Sequence, residues 1–213
     1  MQAGSYVIAG IGTGIGKTLM STIVAEALTA DYYKPIQCGS LHQSDSKFVE
    51  LHINNSKTVV HREQFRLKTP SSPHEAARRE GVCIKMKELG LPQTKNRIVI
   101  EPAGGLMVPL NEDELFIDWI EHIELPVILV SDIYLGSINH TLLSIEAIQR
   151  RNLKIKGLIF NHHPKKATEE VIAHYSQLPI LLQVRSHPQI TKKIIRQYAS
   201  ELLRNCKSLN VEL

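Results

Sequence analysis

The sequence predicts an α/β fold in which helices flank both faces of a doubly wound, mostly parallel sheet. Three observations lead to this fold class. The predicted strands are short and apolar throughout instead of alternating, which is typical of strands buried on both faces. Segments with helical spacing of apolar residues lie between most of them, and a glycine-rich segment separates the first strand from the first helix. We expect residues 1–213 to form a single domain of this type.

The predicted strands are residues 5–10, 32–36, 97–100, 126–131, 155–160 and 179–182. The predicted helices are residues 18–28, 45–52, 113–122, 139–151, 168–175 and 190–203. Residues 69–73 read TPSSP and are expected to form a loop, because proline and serine clusters favour turns. In sheets of this kind, ligands bind outside the carboxyl ends of the strands. Functional residues should therefore follow directly after a strand.

The composition argues against several classes of protein. Apolar residues make up 43% and charged residues 22%, which is ordinary for a globular protein, and the net charge of +4 is too small to indicate nucleic-acid binding. No apolar run reaches the roughly 18 residues of a membrane span, and the first residues lack the pattern of a signal peptide. Cys38, Cys83 and Cys206 are too far apart for a metal motif. We expect a cytoplasmic protein with neither a nucleic-acid nor a membrane partner.

Residues 10–18, GIGTGIGKT, indicate a phosphate-binding loop of the P-loop NTPase type. Glycines allow backbone N–H groups to converge on phosphate oxygens, and the following helix adds positive potential. Lys17 would contact the β- and γ-phosphates of ATP, and the Thr18 hydroxyl would bind Mg²⁺. The strict motif begins at Ile11, so its first glycine is displaced to Gly10. The predicted ATP-binding residues of the loop are Thr13, Gly14, Ile15, Gly16, Lys17 and Thr18.

Mg²⁺ also needs carboxylate ligands, and two candidates follow predicted strands. Asp45 opens the predicted helix 45–52, where a simple N-cap role is the alternative. Glu101 comes directly after strand 97–100. A buried carboxylate at that position would be costly without a metal or a basic partner.

Four further segments, together with the P-loop, resemble the dethiobiotin synthetase family. They are KPIQCG at 34–39, TPSSPHEAA at 69–77, EPAGGL at 101–106 and LGSINHT at 135–141. The match keeps its order over most of the chain. It implies an ATP- and Mg²⁺-dependent cyclo-ligase that closes a ureido ring on 7,8-diaminopelargonic acid with CO₂. The reaction would pass through a carbamate and a mixed carbamic-phosphoric anhydride to give dethiobiotin, ADP and phosphate.

The resemblance also implies roles for individual residues. Lys34 would be the catalytic lysine beside the carbamate, with Lys17 bridging the carbamate and the γ-phosphate. Thr18, Asp45 and Glu101 would hold Mg²⁺. Asn161 would contact adenine, although a turn residue is the alternative. The implied substrate-binding residues are Cys38, Gly104, Gly136, Ser137, Ile138 and Asn139, the last four holding the substrate's tail carboxylate from the neighbouring subunit of a homodimer. For Asn139, a simple N-cap role is the alternative.

The chain departs from the family pattern at several positions. Ile11 and Gly12 stand where the family's GTDTxVGKT loop has Thr and Asp, and Gly14 replaces a frequent Glu. Cys38 stands where Ser or Thr is common, and a thiol is a weaker hydrogen-bond donor. Residues 183–186, QVRS, replace a GxxP-type segment that borders the base in the family. The nucleotide preference is therefore left open by the sequence.

Three other functions compete with this interpretation. A nucleotide switch of the MinD or ParA type would carry a second lysine early in the loop, where this chain has Gly12. A P-loop kinase for small molecules would show an arginine-rich lid. A binding protein that has lost catalysis is the third alternative, because the loop departs from the family pattern.

Overall fold

A seven-stranded, entirely parallel sheet runs through the middle of the molecule. A computed structural model describes residues 4–162 and 165–213. The sheet strands are β1 (Tyr6–Gly10), β2 (Asp31–Tyr33), β4 (Val60–His61), β6 (Ile98–Ile100), β7 (Val127–Asp132), β8 (Ile155–Asn161) and β9 (Ile180–Gln183). Their order across the sheet is β4-β2-β6-β1-β7-β8-β9. Two further strands, β3 (Ile36–Cys38) and β5 (Phe65–Leu67), pair in parallel as a separate small sheet.

Helices cover both faces of the large sheet, as the sequence predicts. They are α1 (Lys17–Leu28), α2 (Asp45–His52), α3 (Pro73–Arg79), α4 (Phe116–Ile123), α5 (Ser137–Arg150), α6 (Lys166–Ser176) and α7 (Lys192–Ser208). Apolar side chains of α1, α2 and α7 belong to one core cluster, and those of α3, α4, α5 and α6 belong to a second. Successive residues of β1 alternate between the two clusters, because neighbouring side chains of a strand point to opposite faces. The predicted fold class is confirmed.

The predicted strand 32–36 is wrong in one respect, because it is two strands in different sheets. The main-sheet strand β2 ends at Tyr33, and β3 begins at Ile36. Pro35 lies at the break. Proline has no backbone N–H, so a strand that continued through Pro35 would lose one hydrogen bond to its neighbour. The break places Lys34 at the carboxyl end of β2, where it turns out to be buried.

The polar stretch between α2 and β6 contains more structure than its sequence predicts. It forms β4, β5 and α3, none of which was expected. The predicted helix 113–122 begins only at Phe116, because the Asn111 side chain accepts hydrogen bonds from the N–H groups of Asp113 and Glu114 and holds them in a turn. The remaining predicted helices differ from the observed ones only at their ends.

No helix within residues 4–162 and 165–213 combines the length and the apolar character needed to cross a bilayer.

Candidate active site

The phosphate loop connects the end of β1 to the start of α1 at the carboxyl edge of the sheet. Gly16 has φ 88°, a left-handed conformation that side chains disfavour, and a Cβ at this position would overlap with the amide of Asn161. Asn161, the last residue of β8, donates from Nδ2 to the Ile15 carbonyl at 2.9 Å. The loop is therefore fixed in place by its own glycine and by a side chain from a strand two positions away in the sheet.

Lys17 begins α1 and is buried beneath the loop. Its Nζ donates to the Gly12 carbonyl at 2.6 Å. Burial lowers the pKa of Lys17 to about 8; Glu101 opposes that shift and Lys34 adds to it. A buried ammonium with one carbonyl partner is poorly compensated. It is well prepared to exchange that partner for an anion.

Lys34 joins the two predicted carboxylates in one buried cluster. Its Nζ lies 2.5 Å from Asp45 Oδ2 and 3.1 Å from Glu101 Oε1. Thr18 Oγ1 donates to the same Glu101 oxygen at 2.9 Å, and the Tyr32 hydroxyl donates to the other Glu101 oxygen at 2.8 Å. Glu101 is thus held on both oxygens by three groups, which come from the start of α1 and from the end of β2.

The local structure of the chain explains how the cluster forms. The N–H of Glu101 donates to the Tyr33 carbonyl at 2.9 Å, which extends the β2–β6 pairing by one residue. Asp45 is the first residue of α2, whose N-cap is Ser44, so the alternative N-cap role for Asp45 does not apply. Gln37 accepts a hydrogen bond from the N–H of Asp45 at 3.3 Å. Its amide ties the loop after β3 to the start of α2.

The charges in the cluster determine how its members titrate. Burial alone would lower the pKa of Lys34, but Glu101 and Asp45 together raise that pKa above its ordinary value. Burial and the neighbouring Glu101 raise the pKa of the Tyr32 phenol well above its usual range. Lys34 is therefore a permanent cation at neutral pH, and Tyr32 is a permanent donor to Glu101.

The oxygens around Lys34 suit Mg²⁺ better than a transition metal. Within residues 4–162 and 165–213, no group of three or more His, Cys, Asp or Glu side chains could hold a metal ion. Mg²⁺ is usually held in proteins by one or two carboxylates together with phosphate oxygens and waters. Thr18, Asp45 and Glu101 supply such a partial set of oxygens next to the phosphate loop, so these residues fit Mg²⁺ that arrives with a nucleotide.

A cavity of about 350 Å³ lies beside the cluster. Five of the predicted site residues line it, namely Thr13, Lys34, Cys38, Asp45 and Gly104. The remaining lining residues are Gln37, Pro70, Ser71, Ser72, Pro73, Ala103 and Val108. Burial raises the pKa of the Cys38 thiol to about 11, so the thiol is neutral at physiological pH. The cavity can hold a small molecule between Lys34 and the phosphate loop.

The predicted anion site at Gly136 to Asn139 lies apart from this cavity. Gly136 has φ 100° and is the N-cap of α5. Ser137 is fully buried, and its Oγ has no hydrogen-bond partner among the described residues. Asn139 is exposed in the first turn of α5, so the alternative N-cap role is wrong for this residue. Leu135, two residues before α5, is completely exposed, and Tyr134, Leu143 and Met107 are also exposed.

Sequence reasoning missed two residues that organise the cluster. Tyr32 lies in a buried strand, so its sequence context indicates only a core residue. Gln37 belongs to the segment 34–39, but nothing in the sequence shows that its amide holds the N–H of Asp45. Both roles depend on partners that are distant in sequence or lie beyond a loop.

The chain is similar in sequence to known enzymes over most of its length. Residues 4–193 match the family model described as an AAA domain. The chain is 42% identical to the ATP-dependent dethiobiotin synthetase BioD of Cytophaga hutchinsonii, with 94% of this chain and 97% of the relative covered. It is 45% identical to the enzyme of the same name from Christiangramia forsetii, with 92% and 95% covered.

The solved structures that resemble the chain share its fold. The cell division ATPase MinD of Pyrococcus furiosus aligns with a TM-score of 0.58 at 17% identity, covering 97% of this chain and 99% of that one. A ParA family ATPase from Chlorobium tepidum aligns with a TM-score of 0.55 at 12% identity, covering 94% and 92%. At such low sequence identity, these alignments show a shared fold and nothing further.

Proposed function

The chain belongs to the family of ATP-dependent dethiobiotin synthetases, and we propose that it closes the ureido ring of dethiobiotin on 7,8-diaminopelargonic acid, using CO₂ and ATP. The observation that carries this proposal is the position of Lys34. Its ammonium lies between two carboxylates beside the phosphate loop and lines a cavity of about 350 Å³. A cation held there suits a reaction in which each intermediate is an anion.

Lys34 would stabilise the carbamate that forms when an amine of the substrate attacks CO₂. Two fixed anions hold the ammonium, so its position is set before the substrate arrives. Preorganised charges of this kind lower the barrier because they need no rearrangement during the reaction. The cavity would bring the amine, CO₂ and the ATP γ-phosphate together, and much of the rate enhancement would come from that proximity.

Lys17 and the phosphate loop would bind ATP. The Lys17 ammonium would leave the Gly12 carbonyl and contact the γ-phosphate and the carbamate oxygen that attacks it. After transfer, the second amine displaces phosphate and closes the ring. Asn161, already bonded to the loop at Ile15, would contact adenine with its remaining amide groups.

We propose that Thr18, Asp45 and Glu101 hold Mg²⁺ together with the phosphates. When bound, the ion would neutralise charge on the β- and γ-phosphates. The Thr18 hydroxyl lies within hydrogen-bonding distance of Glu101, and both carboxylates lie within that distance of Lys34.

We also propose that two copies of the chain form a homodimer through the face around the start of α5. Tyr134 and Leu135 precede α5, Leu143 lies on it, and all three are exposed. Met107 is also exposed and lines a cavity together with Leu143. A cavity of about 380 Å³ borders the same face and is lined by phosphate-loop residues as well as by Leu143. A dimer would bring Gly136 to Asn139 of one copy to this cavity in the other copy, where the N–H groups of the first turn of α5 would bind the tail carboxylate.

A nucleotide switch is less well supported. The MinD and ParA structures share the fold, but the early loop lysine of that class is replaced here by Gly12. A cytoplasmic location remains a prediction.

The proposed function is tested by measuring ADP release from the purified protein. We expect ADP only when 7,8-diaminopelargonic acid and bicarbonate are both present with Mg-ATP. ADP release that is independent of the diamine would favour the switch and contradict the proposal. For the dimer, Leu135→Glu should shift the protein from dimer to monomer in sedimentation; an unchanged mass would exclude this face.

A further inference from the structure

The Ser72–His74 pair belongs to the segment 69–77, to which neither the P-loop nor the lysine–carboxylate cluster gives a role. Ser72 lines the 350 Å³ cavity. Its Oγ lies 3.1 Å from Nδ1 of His74. The pair therefore connects the cavity wall to an imidazole ring.

This pairing replaces the local hydrogen bonds that the sequence favours. Residues 72–75, SPHE, match the capping-box pattern, in which the serine oxygen accepts an N–H of the first helical turn. Ser72 is the N-cap of α3, but among the described residues its side chain accepts no hydrogen bond from the helix. Glu75 binds Arg78 and Arg79 instead of closing the box. A capping serine that gives up its cap forgoes stabilisation of about 1 kcal/mol, as residues at functional sites often do.

His74 lies between two open spaces. On one side it contacts Ser72 at the wall of the 350 Å³ cavity, and on the other it lines a second cavity of about 460 Å³. The backbone N–H of His74 donates to the Pro109 carbonyl at 3.3 Å, which fixes the backbone from which the ring extends. The ring is therefore held in place beside Ser72 while its other edge faces an open space.

We propose that Ser72 binds an amine of the diamine substrate and that His74 is the residue that orients the Ser72 hydroxyl for this contact. The inference rests on the proposed function. In the neutral ring with hydrogen on Nε2, Nδ1 accepts the Ser72 hydroxyl hydrogen. The lone pairs of Ser72 Oγ are then free to accept an N–H of the amine. The amine would be held in the cavity that Lys34 also lines.

The test is steady-state kinetics of dethiobiotin formation by the full chain, with the diamine and ATP varied separately. Ser72→Ala and His74→Ala should each raise KM for the diamine about tenfold and leave KM for ATP unchanged, because one hydrogen bond to the substrate is lost. The double variant should be no worse than either single one, since both changes remove the same contact. His74→Asn should restore most of the affinity, because its amide oxygen can replace Nδ1 as the acceptor.

One further measurement separates this role from a structural one. Ser72→Ala should keep the wild-type unfolding temperature, because the hydroxyl does not cap α3. His174→Ala, at an exposed position on α6, is the matched control and should behave like the wild type.

The outcomes are distinct from those of the proposed function. If the wild type makes no dethiobiotin, the proposed function fails before the variants are compared. If the wild type is active and His74→Ala keeps the wild-type KM for the diamine, the inference is overturned. Additive losses in the double variant, or an Asn variant as poor as the Ala variant, would also overturn it.

Discussion

Replacing Lys34 by methionine removes the cation of the cluster while nearly keeping its shape. The substitution leaves Asp45 and Glu101 facing each other without the ammonium that lies 2.5 and 3.1 Å from their oxygens. Glu101 keeps its hydrogen bonds from Thr18 and Tyr32. The variant therefore tests how much the positive charge of Lys34 contributes to stability and to catalysis.

The expected loss of stability follows from burial. Removing one partner of a buried ion pair costs about 3–5 kcal/mol. The Asp45 side chain is 34% exposed, so water screens part of the repulsion and the lower end, about 3 kcal/mol, is expected. For a chain of this size, 1 kcal/mol corresponds to roughly 2–4 °C, so the unfolding temperature should fall by about 6–12 °C.

Calorimetry without nucleotide measures this effect, and magnesium provides an internal check. If Asp45 and Glu101 hold Mg²⁺ as proposed, the ion would replace the missing positive charge between the two carboxylates. Millimolar Mg²⁺ should therefore raise the unfolding temperature of Lys34→Met by more than that of the wild type. Lys47→Met, at an exposed position on α2, is the matched control and should show neither the loss nor the extra response.

The same variant should lose most of its activity. Removing one preorganised electrostatic contact typically lowers kcat by about 100- to 1,000-fold. ATP affinity, measured by titration calorimetry, should change by less than about tenfold, because the phosphate loop remains intact. Wild-type kcat in Lys34→Met would refute the catalytic role. A wild-type unfolding temperature would refute the claim that the two carboxylates depend on Lys34.

Three other predictions concern the same site. Tyr32→Phe leaves one oxygen of buried Glu101 without its donor and should cost about 1–3 kcal/mol in urea unfolding; no loss would show that the hydroxyl is dispensable. Gly16→Ala should abolish ATP binding in titration calorimetry, because its φ of 88° is strained and its Cβ would overlap with the asparagine amide at the end of β8. Gly12→Ala is the steric control for Gly16→Ala, because an added Cβ at Gly12 meets no described atom within 4 Å. This variant should keep the unfolding temperature of the wild type. Lys17 has a pKa of about 8 in the folded protein against 10.5 when unfolded, so the unfolded chain binds more protons between these values and the free energy of unfolding should rise from pH 8 to 10.5. ATP affinity should fall over the same range as the ammonium is lost, and Lys17→Met should show neither dependence.

Much of the fold was predictable because its signals are local. The apolar strands and the helical spacing predict a parallel sheet covered on both faces, and the glycine loop predicts where a phosphate would bind. Residues 45–52 form a helix with the predicted ends. Each of these features depends on residues that are close in sequence.

The unpredicted parts depend on contacts between distant segments. The strands β3 and β5 pair across a gap of more than twenty residues, and β5 has no long apolar run of its own. The sequence predicts one strand over 32–36, because Lys34-Pro35 interrupts the apolar pattern too briefly to signal two strands. The donor role of Tyr32 requires Glu101, which is 69 residues away.

The predicted site residues divide into two groups in the structure. The residues that follow β2, β1 and β6 meet at one edge, as parallel strands require. Gly136 to Asn139 lie apart from them in one copy of the chain. A residue that follows a strand in the sequence lies on the correct edge of the sheet. In the proposed dimer, Gly136 to Asn139 of one copy would lie at the cavity of the other copy.

We propose that one site of the protein carries out both carboxylation and ring closure at the expense of ATP. The most direct test is to supply ¹³C-bicarbonate with 7,8-diaminopelargonic acid and Mg-ATP and to analyse the products by mass spectrometry and nucleotide chromatography. We expect a ureido product carrying one ¹³C atom and one ADP for each molecule formed. ADP released without labelled product, or a phosphorylated diamine in its place, would contradict the account.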